Sequence, residues 1–191
     1  MQNSRQTRTL ERGFETREEG GAKIIEGYFA VFGSPYEICP GITEQIAPEA
    51  FDGALGGDVR ALIDHDTHLV VGRTLSGTLN LQVDQTGLFG SIVINPEDSD
   101  ALNAYARVKR RDVTQASFGF DILEEEHETR ADGSMLVTIK KLKLYEVSIC
   151  TFPAYAATEL HARAKDIKAA RVRAHEIYKT GLKERMKNAW H

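Results

Sequence analysis

From Lys23 to Ile149 the chain is written mainly in a two-residue period, which confines it to a fold in which strands outnumber helices. In Lys23–Phe32, Ile25, Gly27, Phe29 and Val31 alternate with Glu26, Tyr28, Ala30 and Phe32, so both faces are largely apolar. Such a strand is buried on both sides, and Gly33-Ser34-Pro35 ends it. Ile42–Ile46 reads as a second short strand, and Pro48 opens a helical turn that runs through Leu55 and stops at Gly56-Gly57. Val59–His65 reads as a strand, and Thr78–Val83 pairs with Leu88–Ile94 across Asp84-Gln85-Thr86-Gly87 as a hairpin. Asp98 or Ser99 caps a helix through Arg110, and Val113–Ile122 and Met135–Ile149 are further strands joined through an acidic stretch and the turn Ala131-Asp132-Gly133. About seven strands follow one another without regular helical crossovers. An α+β class, mainly β, with an antiparallel sheet or barrel and a few helices fits that order.

The ends differ from this middle. Residues 1–22 are polar, with four Arg and four Glu, and read as a mobile lead-in to a domain over residues 23–158. Residues 159–191 hold nine Lys and Arg against four Asp and Glu, a net of +5 in a chain whose total is −4. That segment has a helix-forming composition, but its apolar positions (Ile167, Ala170, Ala174, Ile177, Tyr178) make only a thin stripe. It therefore reads as a basic helical tail, solvated or partner-binding. The small overall charge argues against a nucleic-acid binder. Cys39 and Cys150, the only cysteines, are too few for a disulfide framework or a zinc knuckle, so a reducing compartment is expected. No apolar run approaches the roughly 20 residues of a membrane span, and no secretory signal is visible, so a soluble, cytosolic protein with no membrane partner is expected.

Three places on the strands could carry chemistry. Asp64-His65-Asp66-Thr67-His68 is the densest polar cluster, and by alternation His65 shares a face with Ala61 and Ile63 at a strand end. Ser117 alternates with Gln115 and Gly119 while Ala116, Phe118 and Phe120 face the other way, so the serine projects from the face opposite the aromatic anchor. Glu146 falls in line with Leu142 and Leu144 on an apolar face, where a carboxylate needs a donor: an imidazole N–H, or a Lys or Arg. Each has a plain structural alternative in an ordinary hydrogen bond or salt bridge. Taken together, a His, a Ser and a Glu on three strands could form a nucleophile, its base and the group that orients the base. A metal reading of His65, His68, Asp64 and Asp66 lacks the helical spacing and a distant third ligand of a catalytic zinc site. The run Glu124-Glu125-Glu126-His127-Glu128 reads as a solvated loop leading into a turn.

Several segments in order resemble the prohead serine proteases of tailed bacteriophages, which trim scaffold and capsid proteins during head maturation. They are Glu26–Phe32, Ile46–Phe51, Val59–Asp66, Gly72–Leu79, Lys109–Val113, Ala116–Phe120, Tyr145–Ser148 and Thr151–Tyr155, together spanning roughly residues 24–158. The resemblance implies a fold like that of the herpesvirus assembly proteases, an antiparallel β-barrel flanked by helices, and places the family's histidine and serine on His65 and Ser117. The herpesvirus relatives have a histidine as third member on a later strand. The corresponding stretch here offers Glu146, with Asp64 and Asp66 as competitors less well placed along the strand.

The expected activity is that of a serine endopeptidase with catalytic residues His65, Ser117 and Glu146 and no cofactor or metal. Backbone N–H groups near Ser117, or Arg73, are candidates for the oxyanion donors. The resemblance implies major capsid protein and/or scaffold protein as partners, self-cleavage and a homodimer as further options, no specific nucleic acid, and a location in the host cytoplasm inside the assembling prohead. The rival is a non-catalytic capsid or scaffold module with the same fold.

Overall fold

The longest alternating stretches make the longest strands. The computed structural model describes the backbone of residues 6–10, and residues 14–152, 167 and 169. Strands β10 (Gln115–Thr129) and β11 (Met135–Cys150) pair antiparallel. In the turn between them Gly133 takes φ +83° and the Arg130 N–H reaches Ser134 O at 2.8 Å. This hairpin is the spine of a seven-stranded sheet. Strand β1 (Gln6–Leu10) lies antiparallel on β10. Strand β5 (Ile42–Ile46) runs parallel to the first part of β11, with β4 (Tyr36–Cys39) outside it. Strand β6 (Arg60–Ile63) runs parallel to the last part of β11 and pairs antiparallel with β7 (Asp66–Arg73). A second, four-stranded sheet has the order β2 (Glu15–Glu19), β3 (Ala22–Val31), β9 (Gly87–Ile94), β8 (Leu79–Val83).

Both sheets feed one core. Ile25, Phe29, Leu88 and Ile92 come from the second sheet, and Ala61, Ala116, Phe118, Phe120, Val147 and Ile149 from the first. The Phe118 and Phe120 rings stack with centroids 4.8 Å apart, a face-fixing contact worth about 1 kcal/mol beyond burial. Helix α1 (Ser99–Arg110) adds Ala101, Ala104, Tyr105 and Val108, one stripe at helical spacing. The Asp98 carboxylate accepts from the N–H groups of Asp100 and Ala101 at 2.9 and 3.2 Å, and Arg111 closes the helix with φ +66°. Gly87 lets β9 approach β3: a Cβ there would lie 1.9 Å from Ala30 O.

Neither sheet closes, so the expected barrel is replaced by two open sheets sharing a core. The reason is β11, whose two ends pair with different parallel neighbours, so the sheet forks instead of curling back on itself. Residues read as a polar lead-in contain β1 and β2; edge strands held by main-chain ladders need no apolar alternation. The acidic run is not a loop. It continues β10 to Thr129, with Glu124 opposite Lys141 on the paired strand. Strands β4 and β7 were likewise not legible as separate elements. The basic segment 159–191 lies outside the described residues except for Ile167 and Ala169. Ile167 is buried with Ile38, Ile42, Met135 and Val137 in a second cluster.

Asp98→Ala removes an N-cap that serves two helical N–H groups. It is expected to lower unfolding free energy by about 1 kcal/mol, read as a lower urea midpoint at unchanged slope.

Candidate active site

The face of β10 and β11 turned away from the phenylalanines carries the polar residues. Ser117 is opposite Ser148, Gly119 opposite Glu146 and Gln115 opposite Cys150. Ser117, Glu146 and Ser148 are the buried polar residues of this face, each at most 1% exposed. Glu146 is not in line with Leu144, as simple alternation predicts. The register slips between Gly119 and Phe120, which pair with Glu146 and Leu144, so Tyr145 is the extra residue of a β-bulge. The bulge puts Leu144 on the Phe120 face and leaves Glu146 on the Ser117 face. The Tyr145 hydroxyl donates to Asp121 at 2.8 Å beside the bulge.

His65 reaches the same face by a second break in alternation. Strand β6 ends at Ile63, and Asp64 and His65 both adopt left-handed backbone, with φ of 49° and 62°. For residues other than glycine this costs on the order of 1–3 kcal/mol each. Asp64 offsets the cost with three hydrogen bonds: its N–H donates to Ile149 O at 2.9 Å, and its carboxylate accepts from the Thr151 N–H and hydroxyl at 2.7 and 3.0 Å. The turn is thereby pinned to the end of β11. It carries the imidazole to the face opposite Ala61 and Ile63, which correctly face the core.

His65 Nδ1 lies 2.7 Å from Glu146 Oε1. The other carboxylate oxygen accepts from Ser148 Oγ at 2.5 Å, and Ser148 Oγ also stands 3.4 Å from Nδ1. A carboxylate buried at this depth is costly unless its oxygens are matched by donors, and the imidazole and the hydroxyl supply two. With Nδ1–H donating to Glu146, Nε2 is the acceptor nitrogen. It lies 3.8 Å from Cys150 Sγ. Burial pushes the Cys150 thiol up to about 12, the Asp64 charge adds to the shift, and the Ser117 hydroxyl opposes it.

The structure therefore brings His65 and Glu146 into direct contact and sets Ser117 on the same face. Asp66 and His68 are exposed and occupied with each other, Asp66 accepting from the His68 N–H at 2.8 Å. Asp64 acts on the turn. Among the described residues no three His, Cys, Asp or Glu side chains gather as a metal site would need. Arg73 forks onto Asp58 at 2.7 and 2.6 Å, which holds the Asp58 carboxyl below its ordinary range and raises the guanidinium. Sequence reasoning missed Ser148 and Cys150, although they follow Glu146 two and four residues on.

A thiol that ionises higher in the folded chain than its unfolded value of about 8.5 stabilises the fold fully below that value and loses the effect as pH rises toward 12. Urea midpoints of the native chain are expected to fall more steeply between about pH 9 and 12 than those of Cys150→Ala. Iodoacetamide at pH 8 is expected to modify Cys39, which is partly exposed, ahead of buried Cys150.

The family model described as caudovirus prohead serine protease matches residues 11–172. No curated protein and no solved structure matches the chain. The match takes in the whole of the β10–β11 hairpin, the pinned turn at His65 and both sheets apart from β1. The chain belongs to the caudovirus prohead serine protease family, whose members are capsid-maturation proteases.

Proposed function

We propose that the chain is a serine endopeptidase in which Ser117 is the nucleophile, His65 its base and Glu146 the group that orients the base. The observation that carries this reading is the 2.7 Å contact between His65 Nδ1 and a buried Glu146 carboxylate, on the sheet face that also bears Ser117. Glu146 fixes the tautomer and stabilises the imidazolium as it forms. His65 Nε2 takes the Ser117 proton while Oγ attacks the scissile carbonyl carbon. The tetrahedral intermediate then collapses, the amine leaves with the proton from Nε2, and water repeats the sequence to release the acyl group. Cys150, protonated at neutral pH, stands 3.8 Å from the same nitrogen.

The family points to capsid or scaffold protein as substrate, cleaved within the assembling prohead, with the enzyme's own chain as a further substrate. No helix among the described residues is long and apolar enough to cross a membrane. A domain limit at residue 158, with the basic segment beyond as a contact arm, belongs to the same proposal.

Co-expression with the cognate capsid or scaffold protein, followed by mass spectrometry, tests the assignment. Ser117→Ala and His65→Ala are expected to lose activity by on the order of 10³-fold or more with the fold intact, and Glu146→Gln by about 10²- to 10⁴-fold. Asp66→Asn is expected to cleave at about the native rate. A fully active Ser117→Ala chain sinks the mechanism, and a native chain that never cleaves favours the non-catalytic module.

A further inference from the structure

Ser117 lies on a strand that would be a sheet edge if β1 were absent. Among the described residues strand β1 is terminal in its sheet, lies close to β3 and pairs with β10, antiparallel, with Leu10, Thr9, Arg8 and Thr7 opposite Ala116, Ser117, Phe118 and Gly119. Three observations set β1 apart from the other strands. Its sequence, Gln-Thr-Arg-Thr-Leu, has one large apolar residue, so the main-chain ladder is the chief thing that sequence offers β10. It precedes residue 11, where the family match begins. Ser117, the residue it pairs beside, is fully buried, so no peptide reaches the hydroxyl in this arrangement.

An extended peptide added to a sheet edge is bound mainly through its backbone, and one such strand can replace another. We propose that β1 occupies the substrate's place: the polypeptide to be cut adds to β10 as an antiparallel strand opposite Ala116–Gly119, and β1 must leave before it can do so. The partner is thus an extended segment of capsid or scaffold chain, read through its main chain, and β1 is a resident competitor that keeps the enzyme quiet. This rests on Ser117 being the nucleophile.

Adjacent residues of an antiparallel strand send their N–H groups to opposite sides, so Thr7→Pro with Arg8→Pro in the full chain removes at least one donor to β10. A fluorophosphonate probe, which phosphonylates an active serine with loss of fluoride, reports access to Ser117. Labelling is expected to be roughly tenfold faster in the double variant, since reactivity scales with the fraction of open enzyme. A synthetic peptide of residues 1–13 is expected to slow it again. Equal rates in native chain and folded variant, or faster labelling that the peptide leaves unchanged, overturn the proposal.

If the double variant does not fold, hydrogen exchange on full-length Ser117→Ala decides. With the cognate capsid or scaffold protein added, amides of residues 7–10 are expected to lose protection while those of 115–120 keep it. Retention of both, or loss of both, overturns the proposal. Absence of labelling in every form overturns the nucleophile assignment and this inference with it, whereas labelling that ignores β1 overturns the inference alone.

Discussion

A carboxylate buried on a β-sheet has to be met by donors, and the region around Glu146 is organised by that requirement. Glu146 is 1% exposed, where an unmatched charge would be strongly destabilising. The donors come from two directions. Ser148 is two residues along the same strand, while His65 arrives from β6, eighty-one positions earlier in the chain. Local sequence provides one partner; the other is delivered only when β6 docks parallel to the end of β11.

Two departures from regular strand geometry make that meeting possible. The bulge at Tyr145 shifts the parity of β11, so that the apolar alternation serving the core passes from Leu142 and Leu144 to Val147 and Ile149, and Glu146 and Ser148 fall on the other face. The left-handed pair at Asp64 and His65 performs the same reversal at the end of β6. Neither would persist alone, because each puts backbone where regular pairing is lost. The Asp64 clasp on Thr151 and the Tyr145 bond to Asp121 hold them.

The resting state is satisfied as well as assembled. Nε2 lies 3.8 Å from the Cys150 sulfur, and β1 pairs with β10 beside Ser117. Under the proposed assignment the groups that react are already assembled on one face of the sheet. Under the same proposal, departure of one edge strand would change access to Ser117 while leaving in place the core, whose phenylalanines lie on the far face.

Much of this protein was written in the sequence. Ile42–Ile46, the Leu79–Val83 and Gly87–Ile94 hairpin, the Asp98 cap and the placement of Ser117 opposite the phenylalanine face are all local consequences of alternation, turn chemistry and capping. The residue types that meet at the site, His65, Glu146 and Ser117, were visible for the same reason, as polar side chains interrupting apolar strands. What alternation could not supply was parity beyond an irregularity. It put His65 with Ala61 and Ile63 and Glu146 with Leu144, since a period of two carries no record of a bulge or a left-handed turn. Strands β1 and β2 were hidden because ladder hydrogen bonds belong to the main chain and leave little trace in side-chain pattern. Closure of the sheet, the contact between His65 and Glu146, and the engagement of Cys150 depend on which strands lie side by side. Only the tertiary structure decides that, because pairing between distant segments is fixed by the packing of the whole core.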